Sequence, residues 1–173
     1  FTEVLGWCGK AVDSLADRLL WREFRDDNFD LNTIYCMNNA DVLFDSAVLS
    51  ALISSCCFVY ISQAENGFPR LQVIDGGNAT GVMDEVTGLL REGYAVLARD
   101  PDSDRPTLEA YFTAGSTWYY PKGQKPYRVT NSAPAPLLVP IVYRPDAKRP
   151  FGHSRISRAC MGLQQGALRT LKR

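Results

Sequence analysis

The chain has 173 residues, 46% of them hydrophobic, with 19 basic and 19 acidic side chains, which describes one soluble domain of ordinary size and enough chain to bury a core. No apolar run reaches the roughly 18 to 20 residues of a bilayer crossing; the longest, 47–61, is interrupted by Ser50, Ser54 and Ser55, so a helical membrane span is excluded. The zero net charge is a cancellation. Residues 144–173 hold Arg144, Lys148, Arg149, Arg155, Arg158, Arg169, Lys172 and Arg173 against Asp146 alone, a surplus of +7, and the first 143 residues hold 11 basic and 18 acidic side chains, −7. An acidic body with a basic end can face phosphate or an acidic neighbour, or carry a solvated basic helix.

In residues 1–20, Val4, Leu5, Cys8, Ala11, Val12, Leu15 and Leu19 recur at steps of three and four, which predicts an amphipathic helix. Residues 20–24 alternate as a short strand does, and the polar cluster Arg25-Asp26-Asp27-Asn28 turns the chain. A second helix is expected over 31–38, stopped by Asn38 and Asn39, and a third from Asp41 through Leu52. Cys56 to Ser62 is β-branched and aromatic and reads as a strand. After a loop at 63–70, strands are expected over 71–74, 89–99, 107–114, 117–120, 127–130 and 137–142, with turns at 75–78 and 84–88 and a polar connection at 100–106. Helices first and antiparallel strands afterwards predict an α+β fold. From Ser154, which can accept hydrogen bonds as an N-cap, the helical period returns with Ile156, Ala159, Cys160, Leu163, Ala167, Leu168 and Leu171 on one side.

Five cysteines without a C-x-x-C spacing suit a reducing compartment, and the adjacent Cys56 and Cys57 suit apolar filling of a strand. The only histidine is His153, too few for a His-rich zinc site. Gly76 to Gly81 lacks the lysine and hydroxyl of a phosphate loop, and Gly152-His153-Ser154-Arg155-Ile156 lacks the second glycine of a nucleophile elbow. The acidic groups at Asp26–Asp27, Asp84–Glu85 and Asp100–Asp104 read as polar turns, since hairpin connections are commonly this polar; Asp100, Asp102 and Asp104 alternate like the start of a calcium loop, but Arg105-Pro106 stands where that loop places its glycine. No residue set qualifies as a catalytic, cofactor-binding or metal site.

The segment Pro134 to Ile156 is different in kind. Prolines around a short apolar strand, Pro140 within it, place that strand at a sheet edge; the chain then crosses a stiff basic connection with Pro150 and Gly152 and enters a helix at Ser154. That is a rigid hand-over from sheet to helix.

Here the sequence resembles the portal proteins of tailed bacteriophages. The likeness lies in Pro140-Ile141-Val142-Tyr143-Arg144, a short basic loop, and Gly152-His153-Ser154-Arg155-Ile156 opening a helix; upstream, VDSLADRLLWREFRDD, NNAD, CCFVYIS and DEVTGLLREGYAVLARD follow in a similar order. Relatives carry arginine where His153 stands. The resemblance spans nearly the whole chain and rests on the order of several motifs. It implies a structural, non-enzymatic protein without cofactors, present in the virion and, during assembly, in the host cytoplasm. It further implies a ring of about a dozen subunits closed head to tail, sited at one capsid vertex as DNA channel for packaging and ejection and as head-to-tail connector. Partners would be other copies, terminase, capsid and neck or tail proteins, and duplex DNA passing non-specifically, with no membrane. On this reading residues 1–62 are wing helices and a first core strand, 63–143 the β-rich wing, and 144–173 a basic connection and stem-proximal helix; clip and crown regions would lie outside the chain. The basic residues of 144–173 are the expected subunit-interface or DNA-facing groups, and Pro140, Pro150, Gly152 and Ser154 the structural hand-over. The competing expectation is a nucleic-acid-binding module, or another phage head assembly module, using the same basic segment.

Overall fold

The computed structural model describes residues 5–22, 24–25, 28–64 and 67–171. Helices α1 (Trp7–Ala16), α2 (Leu31–Met37) and α3 (Ala40–Ser54) precede all the strands: β1 (Cys56–Gln63), β2 (Pro69–Asp75), β3 (Ala79–Met83), β4 (Leu90–Arg99), β5 (Pro106–Thr113), β6 (Ser116–Pro121), β7 (Tyr127–Thr130) and β8 (Leu138–Val142). Helix α4 (Arg158–Leu171) closes the order. The fold is α+β, with two antiparallel sheets ordered β2-β1-β8 and β3-β4-β5-β6-β7.

The period of two along β1 sets the layering. Cys56, Phe58 and Tyr60 face the five-stranded sheet and share a core with Ile74, Leu90, Ala95, Ala110, Phe112 and Leu138; Cys57 faces the other way, against Ala47 and Ala51 of α3. Small side chains on α3 let it approach the sheet closely, and the buried Cys57 thiol donates to the Ala47 carbonyl at 3.1 Å. Helices, three-stranded sheet and five-stranded sheet therefore form successive layers, with α1 packed on α3 and α4 on α1. Between the sheets the hydroxyls of Tyr60 and Tyr119 meet at 2.7 Å, which satisfies two polar groups inside an apolar core.

Three local expectations need correction. Residues 20–22 and 24 form no strand: Trp21 stacks on Phe44 with ring centroids 5.0 Å apart and meets Phe24 edge-on at 5.1 Å, while Phe24 also lies against Tyr35. Two aromatic residues three apart seated in one cluster are incompatible with a strand's alternation. The Asp26–Asp27 turn and residues 1–4 lie outside the described residues. The second correction is β3, which reads in sequence as a glycine-rich loop. Its Gly81 is there because a Cβ would sit 2.5 Å from the Glu92 carbonyl on β4. The third concerns the last helix, which begins at Arg158 and not at Ser154. Ser157 is the cap, its Oγ accepting from the Cys160 N–H at 3.1 Å.

Polar side chains fasten the helices to the sheet. Asn38, at the end of α2, donates to the carbonyls of Ile34 and Pro69 and accepts from the Leu71 N–H at 2.8 Å, so it covers the outer edge of β2. Asp75 accepts from the Gly77 N–H and from the hydroxyls of Ser50 and Ser54 on α3. The Gly77 bond first, and the serine bonds against some burial, hold its carboxyl below the ordinary 3.8. A lowered folded-state pKa gives stability that is complete above the ordinary carboxylate value and is lost as pH falls through the folded one. Asp75→Asn is accordingly expected to melt below the parent at pH 7, with the gap closing below about pH 4; a gap independent of pH would assign the effect to the amide's geometry alone.

Candidate functional site

Strand β8 is an edge strand, as its prolines require. The Tyr143 N–H bonds the Ser55 carbonyl and the Ile61 N–H the Leu137 carbonyl, so odd-numbered residues of β8 turn their backbone toward β1. Pro140, opposite Phe58, places its missing donor on the free edge, where no ladder bond is lost.

Beyond β8 the chain makes a tight hairpin over 143–153. Arg144 takes a left-handed conformation, φ +51°, and Asp146 and Arg149 exchange backbone bonds. Asp146 also accepts from the N–H groups of Lys148 and Arg149 and meets His153 Nε2 at 2.6 Å. The Arg149 guanidinium can only donate, so at 3.3 Å from Nδ1 it assigns the lone pair to that nitrogen and the proton to Nε2. The His153 contact first, then the Arg149 amide, holds Asp146 below the usual carboxylate range. Gly152, φ +73°, closes the hairpin: its N–H bonds the Arg149 carbonyl, and the following His153 N–H bonds Tyr143. Phe151 turns inward onto Phe58, ring centroids 6.0 Å apart, while Pro150 stays exposed.

The hand-over is then stitched to the helical layer. The Ser154 hydroxyl donates to the Ile53 carbonyl at 2.6 Å and accepts from the Ile156 N–H; the Arg155 N–H bonds the Leu52 carbonyl. Both satisfy carbonyls left open at the C-terminal end of α3. The Arg155 guanidinium donates to the Ala11 carbonyl of α1 at 2.5 Å and to the Tyr143 hydroxyl at 3.2 Å. A cleft of about 430 Å³ remains beside it, lined by Arg144, Asp146, His153, Ser154, Arg155 and Ser157 among others.

The basic residues thus fall into two groups. All of the described ones are exposed, but the Arg155 guanidinium is hydrogen-bonded to Ala11 and Tyr143, whereas Arg144, Lys148, Arg149, Arg158 and Arg169 make no ion pair with a described carboxylate. Lys172 and Arg173 lie outside the described residues. Exposed acids stand in pairs four residues apart on the helical layer, Asp13 with Asp17 at the end of α1 and Asp41 with Asp45 on α3. The acidic loops are internally used: Asp84 accepts from the Val86 N–H, and Asp100 from those of Asp102 and Ser103. Among the described residues no three His, Cys, Asp or Glu side chains converge as a metal site would require, and no helix is long and apolar enough to cross a membrane.

The sequence contains no local signal for the Asp146–His153 contact or for Ser157 in preference to Ser154 as cap, since both serines precede a helical period. Ser157→Ala is expected to cost about 1 kcal/mol and to remove the exchange protection of the Cys160 amide. Ser154→Ala should leave that amide protected. Amide hydrogen exchange resolves the two, and equal protection in both variants would contradict the assignment.

No protein-family model matches the chain, and no curated protein matches it.

Proposed function

We propose that the chain is a structural, non-catalytic subunit part of a bacteriophage portal ring, comprising wing and stem-proximal helix, and that neighbouring copies join head to tail around a channel for duplex DNA. The observation that carries the reading is the hand-over. A proline-bearing edge strand, a hairpin closed by Gly152, and two stitches onto α3 fix the direction in which α4 leaves the sheets. A ring transmits load and orientation from subunit to subunit and needs such a fixed angle more than a binding loop does.

Charge supports the same assembly. The unpaired cations on the hairpin and α4 meet the carboxylates of α1 and α3 on the next copy, a heterologous contact of two different faces. Because Arg155 has an internal role, Arg158 and Arg169 are the positions that test the contact. In sedimentation velocity the Arg158→Glu, Arg169→Glu chain should lose the larger species that the parent forms at low salt, with its melting temperature unchanged. Assembly equal to the parent's would overturn the contact. The second reading, a nucleic-acid-binding module, is favoured by the exposed Arg144, Lys148 and Arg149; tight duplex binding by the chain with a steep salt dependence would select it instead.

A further inference from the structure

We infer that Cys8 and Cys160 form a dithiol–disulfide site that locks the terminal helix α4 onto α1. The two sulfurs lie 3.3 Å apart, in contact, although 152 positions separate them in sequence. Both cysteines are half-buried, and each belongs to the first turn of its helix. A neighbouring bond fixes the register, since Gln164, one turn beyond Cys160, accepts from the Cys8 N–H at 3.3 Å. The other cysteines are placed differently: Cys56 and Cys57 are buried in β1, and Cys36 is exposed on α2.

What makes the pair consequential is how little else holds α4. None of its residues is buried, and Leu163 and Leu171 are 72% and 59% exposed. With thiols at both positions the helix is held by marginal packing and can open locally; a covalent bond removes that opening. The hydrogen bond to Cys160 first, with some burial, raises the Cys8 pKa, so attack by Cys8 is slow at neutral pH and faster as pH rises.

The reaction is thiol–disulfide exchange with a small-molecule disulfide such as oxidised glutathione. One cysteine thiolate attacks a sulfur of that disulfide, forming a mixed disulfide and expelling one thiolate. The second cysteine thiolate then attacks the protein sulfur and expels the other. Two protein thiols are oxidised to one disulfide, and the small disulfide is reduced to two thiols. The site stands on the α1–α4 contact and is independent of ring assembly.

The test treats the full chain with oxidised glutathione at pH 8. Peptide mass spectrometry is expected to recover a Cys8–Cys160 link, with the exposed Cys36 carrying a glutathione mixed disulfide. In Cys36→Ser, which removes that side reaction, denatured thiol titration should fall from four to two, and Cys8→Ser and Cys160→Ser should form no intramolecular link. Oxidation should slow amide exchange in α4 by about tenfold or more, reversed by dithiothreitol. Four remaining thiols in Cys36→Ser, only mixed disulfides, or a link between other cysteines would overturn the proposal, as would a Cys8–Cys160 link that leaves α4 exchange unchanged. Because the mass-spectrometric result comes from the parent chain, it stands even where a serine variant folds poorly.

Discussion

Gly152→Ala is expected to destabilise the chain by about 3 kcal/mol, lowering the melting temperature by roughly 6–12 °C for a chain of this size. Two costs combine. At φ +73° an alanine pays about 1–2 kcal/mol for the left-handed conformation, and its Cβ would lie 2.1 Å from the Tyr143 carbonyl oxygen and 2.8 Å from Val142 Cγ1. The first of these is backbone already bonded to the His153 N–H, so relief requires the hairpin to open. Gly162 on α4 is the control. Nothing lies within 4 Å of its added Cβ, and alanine there should stabilise the helix by up to about 1 kcal/mol. Thermal melts of both variants test the pair, and a Gly152→Ala chain melting within 2 °C or so of the parent would contradict the described closure of the hairpin.

Phe58→Ala should cost about 3–5 kcal/mol, within the range for emptying a buried aromatic site. Phe58 is 1% exposed. It sits between Ile74 on one neighbouring strand and Pro140 on the other, and its ring faces Phe151 of the hairpin. It is therefore shared by the sheet core and the hand-over. Urea unfolding should show a lower midpoint with an unchanged slope. The double variant with Phe151→Ala should lose less than the sum of the single losses, because the first truncation already removes part of what the second would. Strict additivity would mean the two rings do not share a site.

How much of this was legible beforehand depends on the range of the interactions that fix each element. Cys56–Ser62 announces itself through β-branched and aromatic residues, and the structure extends it by one residue to Gln63. The edge placement of 138–142 follows from Pro140, a one-residue chemical constraint. Where long-range packing decides, local pattern fails: Trp21 and Phe24 are governed by Tyr35 and Phe44, and β3 by its pairing with β4 despite Gly81. The candidate site divides similarly. Pro150 and Gly152 were readable as breakers, and Gly152 closes the hairpin. That Arg155 would reach the Ala11 carbonyl, 144 positions away, was not readable, nor was the meeting of Cys8 and Cys160.

The net charge of zero has gained a spatial meaning. Among the described residues, Arg144, Lys148 and Arg149 lie on the hairpin and Arg158 and Arg169 on α4, and the acidic pairs Asp13–Asp17 and Asp41–Asp45 lie on the helical layer. Exposed groups of opposite sign on separate elements are what the proposed head-to-tail contact would use. The most direct measurement is electron microscopy of the complete polypeptide in which this sequence occurs, at low ionic strength. The account predicts closed rings of about a dozen subunits with a central hole; a monodisperse monomer would contradict it.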